Sequence, residues 1–146
     1  MVKYIHPLTL EAAIEVASNL RPADYREVVE GYGQSPEELP PMVIQYDSYY
    51  YKTPDGKIAA MGGVHDDGRI WMLCTPIIEE YPYTFAKVCM RMLDSRPEKL
   101  LWNIVDKRNA IHLKLLRFLG FKFLREVEYG PHNLSFIEFC RVQYNT

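Results

Sequence analysis

The sequence predicts an α+β fold, a mixed but mostly antiparallel sheet flanked by helices, and three stretches carry that prediction. Residues 49–64 hold two strand-like runs joined by Thr53-Pro54-Asp55-Gly56-Lys57, where Asp-Gly supplies the positive φ that a hairpin turn requires. A second turn at residues 65–69 leads into Ile70-Trp71-Met72-Leu73-Cys74-Thr75, an apolar run suited to a strand covered on both faces. Residues 99–126, KLLWNIVDKRNAIHLKLLRFLGFKFLRE, read as strand, turn, helix, tight stop and strand. Antiparallel hairpins followed by a strand-helix-strand-helix crossover give one sheet covered by helices.

The elements follow in order. Residues 2–5 form a short strand, His6-Pro7 ends it, and Thr9 caps a helix running to about residue 20. Pro22 restarts a second helix that Asp24 can cap, with Tyr25, Val28 and Val29 as its apolar stripe and Gly31 or Gly33 as its end. Residues 35–39 can add one turn, Pro40-Pro41 forbids regular structure after it, and residues 42–46 form a short strand or a helical turn. After the hairpins, residues 83–93 form a helix entered at Tyr81-Pro82, with Phe85, Val88, Cys89 and Met92 inward. In the helix of residues 110–119, Ile111, Leu115, Phe118 and Leu119 fall on one face and Lys114 and Arg117 on the opposite one, and Gly120 is the left-handed stop. Residues 121–126 and 134–142 are the last strands.

Composition narrows the function classes. A chain of 146 residues with 48% hydrophobic and 25% charged residues buries one core, so residues 1–146 are read as a single domain. Net charge is −2 with scattered basic residues, which excludes an electrostatic footprint for nucleic acid. Apolar runs are too short for a membrane span and no leader pattern is present, so a cytoplasmic location is expected. Cys74, Cys89 and Cys140 are odd in number and widely spaced, which points to reduced packing residues, and the four histidines lack metal-ligand spacing. Asp66-Asp67 and Glu79-Glu80 are candidate proton acceptors, the first pair being also a turn. Tyr49, Tyr50 and Tyr51 suit either a binding surface or strand packing, while Trp71 and Trp102 are assigned to the core.

An asparagine opening a helix that closes at Gly120-Phe121, within this element order, resembles the acetyl-CoA-dependent N-acyltransferases called GNATs. More narrowly, RNAIHLKLLRFLGFKF followed by EYGPHNLSFIEFCR resembles the GNAT-like internal virion (core) proteins of podophages. The resemblance implies a GNAT-like sheet whose splayed strands hold acetyl-CoA, with its pyrophosphate at a helix N-terminus. The implied cofactor-binding residues are Leu73, Cys74, Thr75, Tyr83, Asn103, Asn109 and Leu116, the amides of residues 73–75 polarising the carbonyl. Members of the family commonly carry glycines in the phosphate stretch and a tyrosine seven residues after the asparagine; here the stretch is PIIEEYPYTF and the position is Leu116. His112, one turn earlier on the same face, is the implied proton-transfer residue, its alternative being a satisfied core histidine. Asn109 has the alternative of a plain helix cap. Implied partners are a small-molecule or protein amine acceptor, or, for a catalytically degenerate structural protein, a virion or host protein in the host cytoplasm or the virion. Cys74, with no histidine near it in sequence, is expected to be inert.

Overall fold

The computed structural model describes residues 2–144. Strand β1 (Ile5–Pro7) pairs with β2 (Asp47–Lys52), β2 with β3 (Ile58–Val64) and β3 with β4 (Ile70–Cys74), every pairing antiparallel. A second antiparallel sheet is ordered β5 (Leu100–Asp106), β7 (Leu134–Val142), β6 (Lys122–Tyr129). The α+β architecture is therefore as expected, with the sheet divided in two.

The two sheets meet at one end of β4 and β5. Arg69 and Trp102 form a single parallel bridge, the Trp102 amide donates to the Gly68 carbonyl at 3.1 Å, and Asn103 Nδ2 donates to the Ile70 carbonyl at 2.6 Å. Gly68 has φ +88°, and a Cβ there would overlap the Leu100 carbonyl oxygen, so only glycine allows the strands to approach. Beyond this junction the strands share no ladder, and a cleft opens between them.

Helices close both faces. Helix α1 (Leu10–Ser18), whose Thr9 cap accepts from the Ala12 amide, buries Ala13 and Val16 against Met61 and Leu73. Helix α2 (Pro22–Arg26) continues into a π-turn over Glu27–Gly31. Pro40 and Pro41 lie in the first turn of α3 (Leu39–Val43); they start a helix rather than forbid one, because a first-turn amide needs no partner. Residues 42–46 accordingly finish a helix and contain no strand. Helix α4 (Pro82–Asp94) packs Phe85 and Val88 onto Tyr51, Ala60 and Cys74. Helix α5 (Ala110–Phe118) stops at Gly120, φ +85°.

Several faces differ from expectation. Ile111, Phe118 and Tyr25 are exposed, because their helices turn His112, Leu115 and Leu116, or Asp24 and Val28, toward the protein instead. The first strand begins at Ile5, after Tyr4 at φ 72°. No helix among the described residues is long and apolar enough to cross a membrane.

Candidate functional site

The cleft between β4 and β5 encloses about 830 Å³. Toward α4 and α5 its walls are Tyr51, Phe85, Cys89, His112, Leu115 and Leu116; toward α2 and α3 they are Glu27, Tyr32, Tyr46, Trp71 and Tyr129. Such a cavity, largely apolar with a few convergent polar groups, has the form that small-molecule sites commonly take.

Both strand edges facing this opening are capped by one turn of helix. Asp24 Oδ2 accepts the Cys74 amide of β4 at 2.8 Å, and Glu27 Oε1 accepts the Asp106 amide of β5 at 2.6 Å. The two acids are three residues apart and so share a helix face. The Arg21 amide donates to the Cys74 carbonyl at 2.9 Å, completing the cap on β4. A splayed strand would otherwise leave these groups unpaired in an apolar interior.

Behind the caps lies a buried polar network. Arg21 Nη1 donates to Asp24 Oδ1 at 2.9 Å and to Asn109 Oδ1 at 3.1 Å, while Asn109 Nδ2 donates to Asp24 Oδ1 at 2.9 Å. Arginine can only donate and the carboxylate accepts, so these bonds fix which end of the Asn109 amide faces which partner. Its remaining N–H then points at His112 Nδ1, 3.2 Å away. His112 Nδ1 therefore accepts, and its proton sits on Nε2, which lies 3.6 Å from Asp24 Oδ1 and 3.7 Å from Cys74 Sγ. Burial pushes the pKa of His112 below the ordinary histidine value, so the ring is neutral near pH 7.

This tautomer decides two questions. Asp24, Cys74 and His112 place an oxygen, a sulfur and a nitrogen close enough to suggest a metal site. A metal would need a bare Nε2 and hence a proton on Nδ1, pointing at the Asn109 N–H, while the Arg21 cation already occupies Asp24; the donor set does not fit a metal ion. Nor can Nε2, carrying its proton, deprotonate Cys74, whose thiol burial holds well above its ordinary pKa. A histidine does lie beside Cys74 in space, although none is near it in the sequence.

The other expected site residues divide clearly. Asn109 is fully buried and its side chain makes no cap bond, so its role as a helix cap is corrected to that of network centre. Asn103 and Leu116 line the cleft. Of the amides expected to polarise a carbonyl, Cys74 donates to Asp24 and Thr75 to the Ala59 carbonyl, since alternate residues of β4 face β3. Met72, two residues before Cys74, shares its cleft-facing register. Tyr83 is 84% exposed on the first turn of α4 and is absent from the cleft walls. Pro76–Glu80 forms a 3-10 turn in the phosphate stretch, and Glu80 pairs with Lys57 at 3.2 Å. Trp71 packs against the core as expected and also lines the cleft, as does Trp102, and Tyr51 is buried while Tyr49 and Tyr50 reach the cleft wall.

Glu27 and Arg21 escaped the sequence reading. The available signal was that Asp24, Glu27, Val28 and Gly31 share one helix face, interleaving acids with an apolar stripe. Glu27 is the more telling group. Burial raises its pKa to about 7, against the Asp106 amide bond that lowers it.

This architecture, antiparallel sheets splayed between β4 and β5 with helices on both faces, is the fold of the GNAT acetyltransferases. A GNAT-family acetyltransferase from Bacillus anthracis matches with a TM-score of 0.73 over 97% of this chain and 96% of that one, at 7% identity. Spermidine N-acetyltransferase from Vibrio cholerae, in complex with CoA and spermine, matches with a TM-score of 0.67 at 13% identity, over 95% and 94% of the two chains. The ribosomal-protein-S18-alanine N-acetyltransferase of Escherichia coli matches with a TM-score of 0.65 at 16% identity, over 97% and 95%. No protein-family model and no curated protein matches the sequence.

Proposed function

We propose that this chain is an acyl-CoA-dependent N-acyltransferase that moves an acetyl group from acetyl-CoA to an amine. The observation that carries the reading is the cleft of about 830 Å³ where β4 and β5 diverge, in a fold that N-acetyltransferases share over nearly its full length. Groups in the cleft suit the cofactor in part. The Tyr51 hydroxyl is buried in the α4-side wall without a hydrogen-bond partner among the described residues, and outside the cleft lining the first turn of α4 has no side-chain cap, so both offer donors to a ligand. The acidic Pro76–Glu80 turn weakens the attraction for phosphates.

Bound acetyl-CoA would supply a thioester whose acyl carbon exchanges its C–S bond for a C–N bond to the amine. Glu27, with a pKa of about 7, takes the proton from the incoming ammonium and holds it at its carboxylate. The register of Met72 aims its amide at the cleft to polarise a carbonyl there. Leu116 offers no proton, so the departing thiolate takes, through water, the proton that the amine nitrogen loses as the amide forms. His112, neutral and bonded through Nδ1, orients Asn109 and through it the Asp24 cap.

Thiol release on mixing the protein with acetyl-CoA and a panel of amines tests this reading. Release that falls at least about a hundredfold in Glu27→Gln supports it; no release and no heat of binding at millimolar acetyl-CoA overturns it. A second reading, a non-catalytic GNAT-fold structural or host-interaction protein of the virion type, is favoured by the two carboxylates that already occupy the strand edges.

A further inference from the structure

The α2-side half of the cleft carries groups that neither the fold nor the network requires. Arg69, the bridge residue immediately before β4, and Trp71 on β4 are two residues apart in extended chain and so project from one face of the sheet. The Arg69 guanidinium, at the exposed end, makes no ion pair among the described residues. Trp71 Nε1 is buried with no hydrogen-bond partner, an unsatisfied donor in a cavity wall. Glu27 lines the same half, and Tyr32 lies within the electrostatic reach of both Glu27 and Arg69.

Aromatic rings line the same half, beside aliphatic residues such as Val28, Met42 and Val43. Tyr46 lies against His65 with ring centroids 4.2 Å apart, and Tyr32 meets Tyr129 edge to face at 5.3 Å. All four line the cleft. Two donors without partners among the described residues, one buried carboxylate (Glu128 lines the cleft from an exposed position) and a set of aromatic faces are complementary to a molecule with one anion, one amine and a flat apolar body.

We propose that the acceptor is an aromatic amino acid or a molecule ending in one: its carboxylate binds Arg69 and Trp71 Nε1, its ammonium faces Glu27, and its ring lies among Tyr32, Tyr46 and Tyr129. This rests on the acyltransfer reading for its consequence, though not for its test. A polyamine does not meet the complement, because Arg69 repels it and the unpaired indole N–H finds no acceptor on it. The unpaired donors also separate amino acids from simple aromatic amines, since a site built to bond an anion loses those bonds when it is missing.

Calorimetric titration of the full chain, with and without acetyl-CoA, measures the choice directly using L-phenylalanine, phenethylamine, 3-phenylpropionate and spermidine. L-phenylalanine is expected to bind at least about tenfold more tightly than each of the others. In Arg69→Ala, an exposed position whose loss leaves the fold intact, L-phenylalanine falls to the affinity of phenethylamine, which itself stays unchanged. In Trp71→Phe the ring wall is retained and the same preference shrinks. Equal binding of phenethylamine and L-phenylalanine, preference for spermidine, or no binding of any probe at 10 mM (roughly, a limit near the millimolar range of weak ligands) overturns the proposal. L-phenylalanine binding without thiol release would overturn acyl transfer alone, and thiol release to spermidine alone would overturn this assignment alone.

Discussion

Asn109 joins an ion pair, a neutral histidine and a strand cap through one amide. Its removal would leave Arg21, Asp24 and His112 short of partners in a site closed to water, and such losses cost about 1–3 kcal/mol each. Asn109→Ala should therefore lower unfolding stability by about 2–4 kcal/mol in urea titrations, far above the cost of an ordinary helix cap. The sequence placed this residue at the start of a helix correctly, and missed its use because Arg21 and Asp24 lie more than eighty residues away in the chain. Glu27 gives a pH signature. Its folded pKa of about 7 exceeds the ordinary value of 4.5, so between these values the folded protein holds a proton the unfolded chain has lost. Stability falls as pH rises through that window, by up to roughly 3 kcal/mol, and is flat above it. Glu27→Gln should remove this slope in melting temperatures taken from pH 4.5 to pH 8 (about the span of the two values), while a wild-type rate profile should rise with pH through about 7.

At the scale of elements, the splay depends on where the sheets touch. Gly68→Ala would put a methyl group at φ +88° against the Leu100 carbonyl, so it should cost at least about 1–2 kcal/mol and speed amide exchange at Trp102, whose amide bonds Gly68. The turn chemistry that marks Gly68 was legible in the sequence, as were the hairpins and the order of strands and helices, because each depends on neighbours in the chain. The second helix was legible only as a helix. Its inward face carries Asp24 and Glu27, and a residue-type pattern reads such acids as caps or surface groups unless the strand edges they serve are known. The acidic turn after β4 makes its own prediction: replacing Glu79 and Glu80 by alanine should tighten acetyl-CoA binding several-fold at low ionic strength, with the gain fading as salt is raised.

Across the whole molecule, two antiparallel sheets, joined at Gly68 and Trp102 and spread apart at Cys74 and Asp106, form a cleft with chemically different halves. One half offers a tyrosine hydroxyl with no hydrogen-bond partner among the described residues; the other offers a carboxylate poised near neutral pH and a set of aromatic side chains. The GNAT fold accounts for the opening, and the residues lining it set the chemistry of its two halves. Backbone amide shifts during an acetyl-CoA titration, read by nuclear magnetic resonance, test this most directly. Changes concentrated at Met72, Asn103, Tyr51 and the first turn of α4, with the Asp24-bonded Cys74 amide moving little, are the predicted result. Shifts confined to other surfaces, or none at millimolar cofactor, would contradict the assignment of this cleft.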